Sequence, residues 1–140
     1  MDPLTLFGDP RWSDIHLEVE AMVNHTAPHH YLRVCGGCAN LSYQRILFGC
    51  REELCFKLFG NGTWFIGNAS GFFEGFQDTW HSIRLETGDG KVAVVMDQDQ
   101  VLLTDASTTP GMIGLGCGSY HNCAIRRVSL TAGSGTSSVV

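Results

Sequence analysis

Residues 14–23 alternate between apolar and polar side chains almost without interruption, and this stretch constrains the fold more than any other. The apolar positions are Ile15, Leu17, Val19, Ala21 and Val23. A repeat of two residues is typical of a β-strand with one buried and one solvated face, because successive side chains leave the backbone on opposite sides. Such a strand needs neighbouring strands and a second layer that covers its apolar face.

Residues 80–105 predict three further strands joined by tight turns. Ile83 and Leu85 alternate with polar side chains, Gly88 and Gly90 suit a turn that requires positive φ, and residues 92–96 form a nearly apolar strand. A second polar turn at residues 97–100 leads into an apolar segment at 101–103. The pattern therefore indicates an antiparallel meander that belongs to a larger sheet.

Shorter apolar segments indicate the remaining strands. They lie at residues 31–35, 42–49, 55–59, 63–67, 112–117 and 123–130. Residues 35–38 are expected to form a turn, and residues 68–79 are expected to form a longer connection rich in aromatic side chains. No long segment repeats apolar residues with the period of a helix, and the 17 glycines suit many short turns. The sequence thus predicts an all-β protein with the fold of an antiparallel jelly-roll β-sandwich.

The 140 residues fit one domain with a short segment at each end. We expect a lead-in or edge strand at residues 1–10, the β-sandwich at 11–130, and a flexible tail of Ser, Thr and Gly at 131–140. Residues 1–10 lack the basic and apolar regions of a signal peptide, so we expect a mature fragment or one module of a longer precursor. No apolar run is long enough to span a bilayer.

Six cysteines and four N-glycosylation sequons predict a secreted or extracellular protein. The sequons begin at Asn24, Asn40, Asn61 and Asn68. Covalent N-glycans are expected at these asparagines, and no other cofactor is predicted. The net charge of −5 and the absence of clustered Lys and Arg in the sequence argue against a nucleic-acid partner.

The cysteines are interpreted as three disulfides. Cys117 should pair with Cys123, because the loop between them is short, and Cys50 can pair with Cys55 for the same reason. Cys35 and Cys38 are then left for each other, although the sequence leaves exchange among these four open. A zinc site with four thiolates is the alternative for them. An oxidising compartment favours disulfides, and no metal site is predicted.

Two pairs of carboxylates have a spacing that a glycosidase could use. Glu18 and Glu20 share one strand face, about 7 Å apart by the rise per residue, and Asp97 and Asp99 lie in a turn. A solvated strand face and a polar turn explain both pairs, because no further acidic residue completes a cluster. The sequence therefore predicts no catalytic residue and no enzymatic activity.

Aromatic side chains are the candidates for sugar binding, since their ring faces can stack on pyranose rings. Trp64 alternates with Ile66 and is expected in the core, and the phenylalanines at 72–76 are expected to close one end of the sandwich. The loop at 120–122 combines an aromatic ring with polar groups at a turn. The predicted ligand-binding residues are Tyr120, His121 and Asn122.

Four segments together resemble concanavalin-A-like (laminin-G-like) sandwich domains. They are Gly-Asp-Pro-Arg-Trp-Ser-Asp at 8–14, Phe-Gly-Asn-Gly-Thr-Trp at 59–64, Trp-His-Ser-Ile-Arg-Leu at 80–85 and Gly-Leu-Gly at 114–116. Residues 7–130 look most like the C-terminal lectin-like domain of galactocerebrosidase-type glycoside hydrolases. The resemblance implies a sandwich without the family's catalytic glutamates, which lie on a separate barrel domain. The family's last strand usually carries an acidic residue associated with calcium, whereas this sequence has Arg126 there.

Two functions follow from these patterns as hypotheses. The first is a secreted, N-glycosylated, non-catalytic lectin-like module that binds carbohydrate or supports a larger extracellular glycoprotein. The second is a structural subunit of an extracellular glycoprotein filament or matrix. Its partners are other copies of the same glycoprotein, which assemble through strand edges and termini.

Overall fold

A computed structural model describes residues 5–23, 31–38, 50–74, 78–106, 110–117 and 123–132. These residues form eleven strands and one short 3-10 turn at Glu52–Leu54. The strands are β1 (Thr5–Phe7), β2 (His16–Val23), β3 (Tyr31–Cys38), β4 (Cys55–Phe59), β5 (Thr63–Ile66), β6 (Ala69–Phe72), β7 (His81–Gly88), β8 (Lys91–Met96), β9 (Asp99–Asp105), β10 (Met112–Cys117) and β11 (Cys123–Thr131). The predicted all-β class is confirmed.

The strands pair into two antiparallel sheets. The six-stranded sheet has the order β1-β10-β3-β4-β5-β6, and the five-stranded sheet has the order β11-β2-β7-β8-β9. Strands β7, β8 and β9 form the predicted meander, and β2 pairs with β7 through a register that places Leu17 opposite Leu85. The jelly-roll β-sandwich that the sequence predicts is therefore the fold of the chain.

The core lies between the two sheets and takes alternate residues from the strands. Leu17 and Val19 of β2 and Leu85 of β7 are inaccessible to solvent, and so are Val34 of β3 and Phe56 of β4 on the facing sheet. The intervening residues of β2 are partly or fully exposed. The alternation at residues 14–23 thus predicted the correct buried face, because a shift of one residue would have turned every apolar side chain outward.

Two local predictions are wrong. Residues 35–38 were expected to form a turn, but they continue β3 as far as Cys38, and Gly37 takes a φ of 63° where the register between β3 and β10 shifts. Gly37, which was predicted to lie in a turn, therefore forms part of a β-bulge. Residues 68–79 were expected to be a connection, but Ala69–Phe72 adds strand β6 to the sheet edge. The strand predicted at 42–49 lies outside the described residues.

The disulfides join Cys35 to Cys55, Cys38 to Cys50 and Cys117 to Cys123. The last bond agrees with the short loop, but the pairings of Cys35 with Cys38 and of Cys50 with Cys55 are wrong. Cys35 and Cys38 lie on one strand, where three residues span about 10 Å, too far for a disulfide. The antiparallel register places Cys35 directly opposite Cys55, with 4.0 Å between their Cα atoms.

Within the part of the chain that the structure describes, no helix has the length and apolar character needed to cross a bilayer.

Candidate functional site

The outer face of the six-stranded sheet presents a contiguous group of aromatic and cationic side chains. The register sets Tyr31 beside Phe59, Arg33 beside Lys57, Lys57 beside Phe65, and Thr63 beside Phe72. The alternate residues of these strands belong to the core. We call the outward group the cation–aromatic face; it consists of Tyr31, Arg33, Lys57, Phe59, Phe65 and Phe72.

Three rings of this face contact one another across neighbouring strands. The ring centroids of Tyr31 and Phe59 are 4.8 Å apart, and those of Phe59 and Phe65 are 5.7 Å apart with the planes nearly perpendicular. Such pairs are worth about 0.5–1.5 kcal/mol beyond their burial and therefore favour this arrangement of the rings. Phe65 nevertheless keeps 40% of its surface exposed, and Phe72 keeps 61%. The face therefore offers apolar surface to solvent.

The two cations of the face approach the same ring. The Arg33 guanidinium carbon lies 5.9 Å from the Tyr31 ring centroid, and Lys57 Nζ lies 5.8 Å from it. Arg33 is only 4% exposed, whereas the Lys57 side chain is 31% exposed. Lys57 Nζ is also 4.0 Å from a carboxylate oxygen of Glu52, whose side chain is 79% exposed. Lys57 is thus the cation of the face that a ligand in solution can reach.

A depression of about 180 Å³ lies over strands β4 and β5. Its lining combines the rings of Phe59 and Phe65 with the charged ends of Lys57 and Glu52; the remaining lining residues are Cys55 and Gly67. Beside it, the pKa of Glu53 is lowered, first by a backbone hydrogen bond and then by one from Arg51, so this carboxylate stays ionised. Apolar rings with a few charged groups at the edge are the usual composition of a ligand site.

The disulfides Cys35–Cys55 and Cys38–Cys50 border the cation–aromatic face. Cys35 and Cys55 form the next pair of β3 and β4 on the same face of the sheet as Arg33 and Lys57. With Cys38 they form a small buried cluster against which Leu6 and Met112 pack. The covalent bond between the two strands therefore keeps Arg33 and Lys57 in register.

Three solved structures share the fold of this chain at low sequence identity. An alginate lyase of polysaccharide lyase family 7, AlgAT5, has a TM-score of 0.62 and 15% identity over 87% of this chain and 62% of the lyase chain. Sheep galectin-11 has a TM-score of 0.51 and 12% identity, covering 92% of this chain and 96% of the galectin. The Caenorhabditis elegans galectin LEC-6 has a TM-score of 0.52 and 8% identity, covering 89% and 90%. No protein-family model and no curated protein matches the sequence.

These similarities establish the fold and correct one prediction. The chain adopts the jelly-roll sandwich that galectins and a polysaccharide lyase share, and it spans 62% of the length of the lyase chain. The sequence predicted no enzymatic activity, and the similarity contradicts this prediction, because a polysaccharide lyase has the same fold. A catalytic role therefore has to be considered from the side chains themselves.

A hydroxyl, an imidazole and a carboxylate lie in series at the start of β7. Thr79 Oγ1 is 2.8 Å from His81 Nε2, and His81 Nδ1 forms a short hydrogen bond with Asp97. The other carboxylate oxygen of Asp97 accepts a hydrogen bond from the backbone N–H of Ser82, with 2.9 Å between the nitrogen and Oδ1. The order of these groups is that of a nucleophile, a general base and the acid that orients the base. We call them the Thr79–His81–Asp97 cluster.

The carboxylates considered for a glycosidase have other contacts. Both oxygens of Glu20 accept hydrogen bonds from the β11 arginines, at 2.8 Å from Arg126 and 2.9 Å from Arg127. The hydrogen bond from Arg126 is the main cause of the lowered pKa of Glu20. A carboxylate held ionised in this way is a poor proton donor. Arg126 also stacks over the Trp80 ring, 3.8 Å from its centroid, so this position ties two strands together rather than offering an acidic calcium ligand.

The predicted ligand residues Tyr120, His121 and Asn122 lie outside the described residues. The expectation that Trp64 belongs to the core agrees with its 8% exposure and its packing against Phe56. The phenylalanines at 72–76 were expected to close one end of the sandwich. Phe73 packs against the core, whereas Phe72 is exposed to solvent. Of the sequon asparagines, Asn61 and Asn68 are exposed in turns, and Asn24 and Asn40 lie outside the described residues.

The sequence reasoning missed the cation–aromatic face, although a local signal for it exists. In residues 31–34 and 55–59, Tyr31, Arg33 and Lys57 alternate with side chains that fill the core. Once these segments are assigned as strands, the alternation shows that these cationic and aromatic side chains point outward. The sequence does not show that these two strands are neighbours, which is what brings Arg33 beside Lys57.

Proposed function

We propose that this chain is a carbohydrate-binding, lectin-like domain whose ligand lies on the cation–aromatic face. The observation that supports this most strongly is the set of mutually packed, partly exposed rings beside the depression over β4 and β5. The axial C–H groups of a pyranose form an apolar patch that stacks on such a ring, while the sugar hydroxyls need polar partners at its edge. Phe65 supplies the exposed ring, and Lys57 and Glu52 supply the polar edge.

The fold similarities agree with this proposal. Two of the matched structures are galectins, and the third is a lyase that is named for a polysaccharide substrate. Proteins of this fold thus include carbohydrate-related activities, and the side chains of this chain decide between them. The sequence resemblance to the lectin-like domain of galactocerebrosidases also predicts a lectin-like domain.

Replacing Phe65 with alanine should weaken sugar binding about tenfold, or ~1.4 kcal/mol, because the most exposed ring over the depression is lost. A glycan array with the purified domain identifies a ligand, and calorimetric titration then measures its dissociation constant for both proteins. Leu103→Ala is the matched control, since Leu103 is 52% exposed on the other sheet. Folded protein that binds no glycan, or equal weakening by the two variants, contradicts the proposed site.

Secretion and N-glycosylation belong to the same proposal. Asn61 and Asn68 lie in the turns at the two ends of β5, the strand that carries Phe65. Asn61 Oδ1 accepts the Thr63 backbone N–H at 2.9 Å, and N-glycosylation at Nδ2 would leave this acceptor in place. Glycans at these positions would flank the cation–aromatic face and limit the direction from which a long saccharide approaches. Mass spectrometry of protein secreted from cultured cells shows which asparagines carry glycans.

The filament hypothesis proposes other copies of the glycoprotein as partners. Strands β1 and β6 bound one sheet, and β11 and β9 bound the other. An edge strand can extend the sheet of a neighbouring molecule. Light scattering that shows only monomers at high protein concentration contradicts this alternative.

The Thr79–His81–Asp97 cluster supports ester hydrolysis as a second candidate function. The Thr79 hydroxyl oxygen attacks the carbonyl carbon while its proton passes to His81 Nε2. The His81 imidazolium, oriented by Asp97, then protonates the leaving alkoxide, and water releases the acid from Thr79 by the same steps. The sugar-binding proposal has the broader support, since it uses side chains of four adjacent strands that form one surface.

Thr79→Val should abolish hydrolysis of p-nitrophenyl acetate, with a fall in kcat of about 10³-fold or more, because the nucleophilic oxygen is removed at nearly constant volume. Thr104→Val, at an exposed position of β9, is the control and should retain the wild-type rate. Release of p-nitrophenol is followed by its absorbance. A wild-type rate no faster than that of Thr79→Val rules out the cluster as a catalytic site.

A further inference from the structure

Two positive charges lie side by side on a chain whose net charge is −5. Arg33 and Lys57 are direct partners in the antiparallel register of β3 and β4. Side chains in such positions have Cβ atoms about 4.5–5.5 Å apart, and like charges there repel. Both cations also lie within 6 Å of the Tyr31 ring centroid, at 5.9 and 5.8 Å. The sheet therefore places two cationic side chains beside its aromatic surface.

We propose that the cation–aromatic face selects acidic saccharides, with the carboxylate or sulfate group against Lys57 and the sugar ring on Phe65. This inference rests on the proposed carbohydrate-binding function and adds the class of ligand. The register places Lys57 and Phe65 opposite each other on β4 and β5, so one sugar unit can contact both side chains. A charged group on the ring thus meets the cation when the ring stacks on Phe65.

Lys57 and Arg33 have different roles in this arrangement. Lys57 is 31% exposed and lines the depression, so its ammonium group can donate a charge-assisted hydrogen bond to a bound anion. Arg33 lies beside Lys57 in the register and is nearly buried, so Lys57 is the cation of the pair that meets the bound anion.

Glu52 is the carboxylate that such a ligand must replace. Its oxygen is 4.0 Å from Lys57 Nζ, the outer limit of an ion pair, and its side chain is 79% exposed. A pair with this separation and exposure contributes little. The bound carboxylate or sulfate can therefore take over the position beside Lys57 while Glu52 turns to solvent.

The test compares one oligosaccharide in three chemical forms by calorimetric titration at low ionic strength. The probes are a galacturonate pentamer, the same pentamer with its carboxyl groups reduced to alcohols, and the reduced pentamer carrying sulfate esters. We expect at least one acidic form to bind roughly tenfold more tightly than the neutral form, and we expect this difference to shrink with added salt. The carboxylate and sulfate forms show which anion the face prefers.

Lys57→Gln should remove roughly this tenfold preference, because the charge that meets the anion is lost, and it should weaken binding of the neutral pentamer less, because the glutamine amide can still donate a hydrogen bond to a sugar hydroxyl. Lys57→Arg should retain the preference, because the positive charge is kept. Lys91→Gln is the matched control; Lys91 is 53% exposed on β8 and paired with Asp105, and its loss should change neither affinity. The strand positions of both lysines tolerate a polar side chain, so thermal unfolding should be nearly equal for the variants.

The outcomes separate this inference from the function on which it rests. Equal affinities for acidic and neutral forms, both weakened by Phe65→Ala, support the sugar-binding face and overturn its acidic selectivity. A preference that Lys57→Gln and Lys91→Gln reduce equally overturns the assignment to Lys57. Absence of binding for all three forms, together with an empty glycan array, overturns both proposals.

Discussion

Phe56→Ala should lower the free energy of unfolding by about 3–5 kcal/mol, the largest effect of a single substitution on stability that we predict. Phe56 is inaccessible to solvent, and its ring packs 6.1 Å from that of Trp64 between the two sheets. The substitution removes apolar burial and leaves a cavity, because the strands on both sides are held in their ladders by the register with Val34 and Ile66. Reversible urea unfolding, followed by tryptophan fluorescence, measures the change.

Phe65→Ala is the control for this prediction, because it deletes the same atoms from the neighbouring strand on the opposite face. Phe65 is 40% exposed, so we expect its loss to reduce the unfolding free energy by about 1 kcal/mol or less. The two variants should therefore separate stability from binding: Phe56→Ala destabilises the domain, and Phe65→Ala weakens the sugar complex. Equal destabilisation by both would contradict the assignment of the two faces of the sheet.

The strands of the sandwich could be predicted because their signals are local. The alternation of Ile15, Leu17 and Val19 with polar residues specifies both the strand and its buried face. The same holds for β7 and β8, where Ile83 and Val94 follow the same repeat and glycines mark the turn between the strands. These patterns depend only on neighbouring residues, so the sequence suffices to find them.

The cysteine pairing and the cation–aromatic face could not be predicted, because both depend on which strands are neighbours. Cys35 meets Cys55, and Arg33 meets Lys57, only because β4 lies beside β3 in a particular register. Short sequence separation favoured Cys50 with Cys55, but that argument ignores the direction of the strands. β6 was missed for a related reason: its Ser70 and Gly71 resemble a loop, and pairing with β5 makes them a strand.

The same register makes the disulfide between β3 and β4 important for both stability and binding. Replacing Cys35 and Cys55 together with alanine should lower the free energy of unfolding by about 3 kcal/mol, because the bond closes a loop with a sequence separation of 20 residues. Both cysteines are at least 95% buried, so the loss of packing acts in the same direction. Urea unfolding of the oxidised proteins measures this change.

The double replacement of Cys117 and Cys123 with alanine is the matched comparison. This bond closes a loop with a sequence separation of only 6 residues, for which the same chain-entropy relation gives about 2 kcal/mol. The two bonds should differ more clearly in binding. Cys35 and Cys55 form the next pair on the same face of the sheet, two residues along the register from Arg33 and Lys57, so their loss should weaken acidic-saccharide binding, whereas loss of Cys117–Cys123 should leave it nearly unchanged. If both double variants bind the acidic pentamer equally well, the disulfide does not hold the cations in position, and the backbone ladder between β3 and β4 is sufficient to do so.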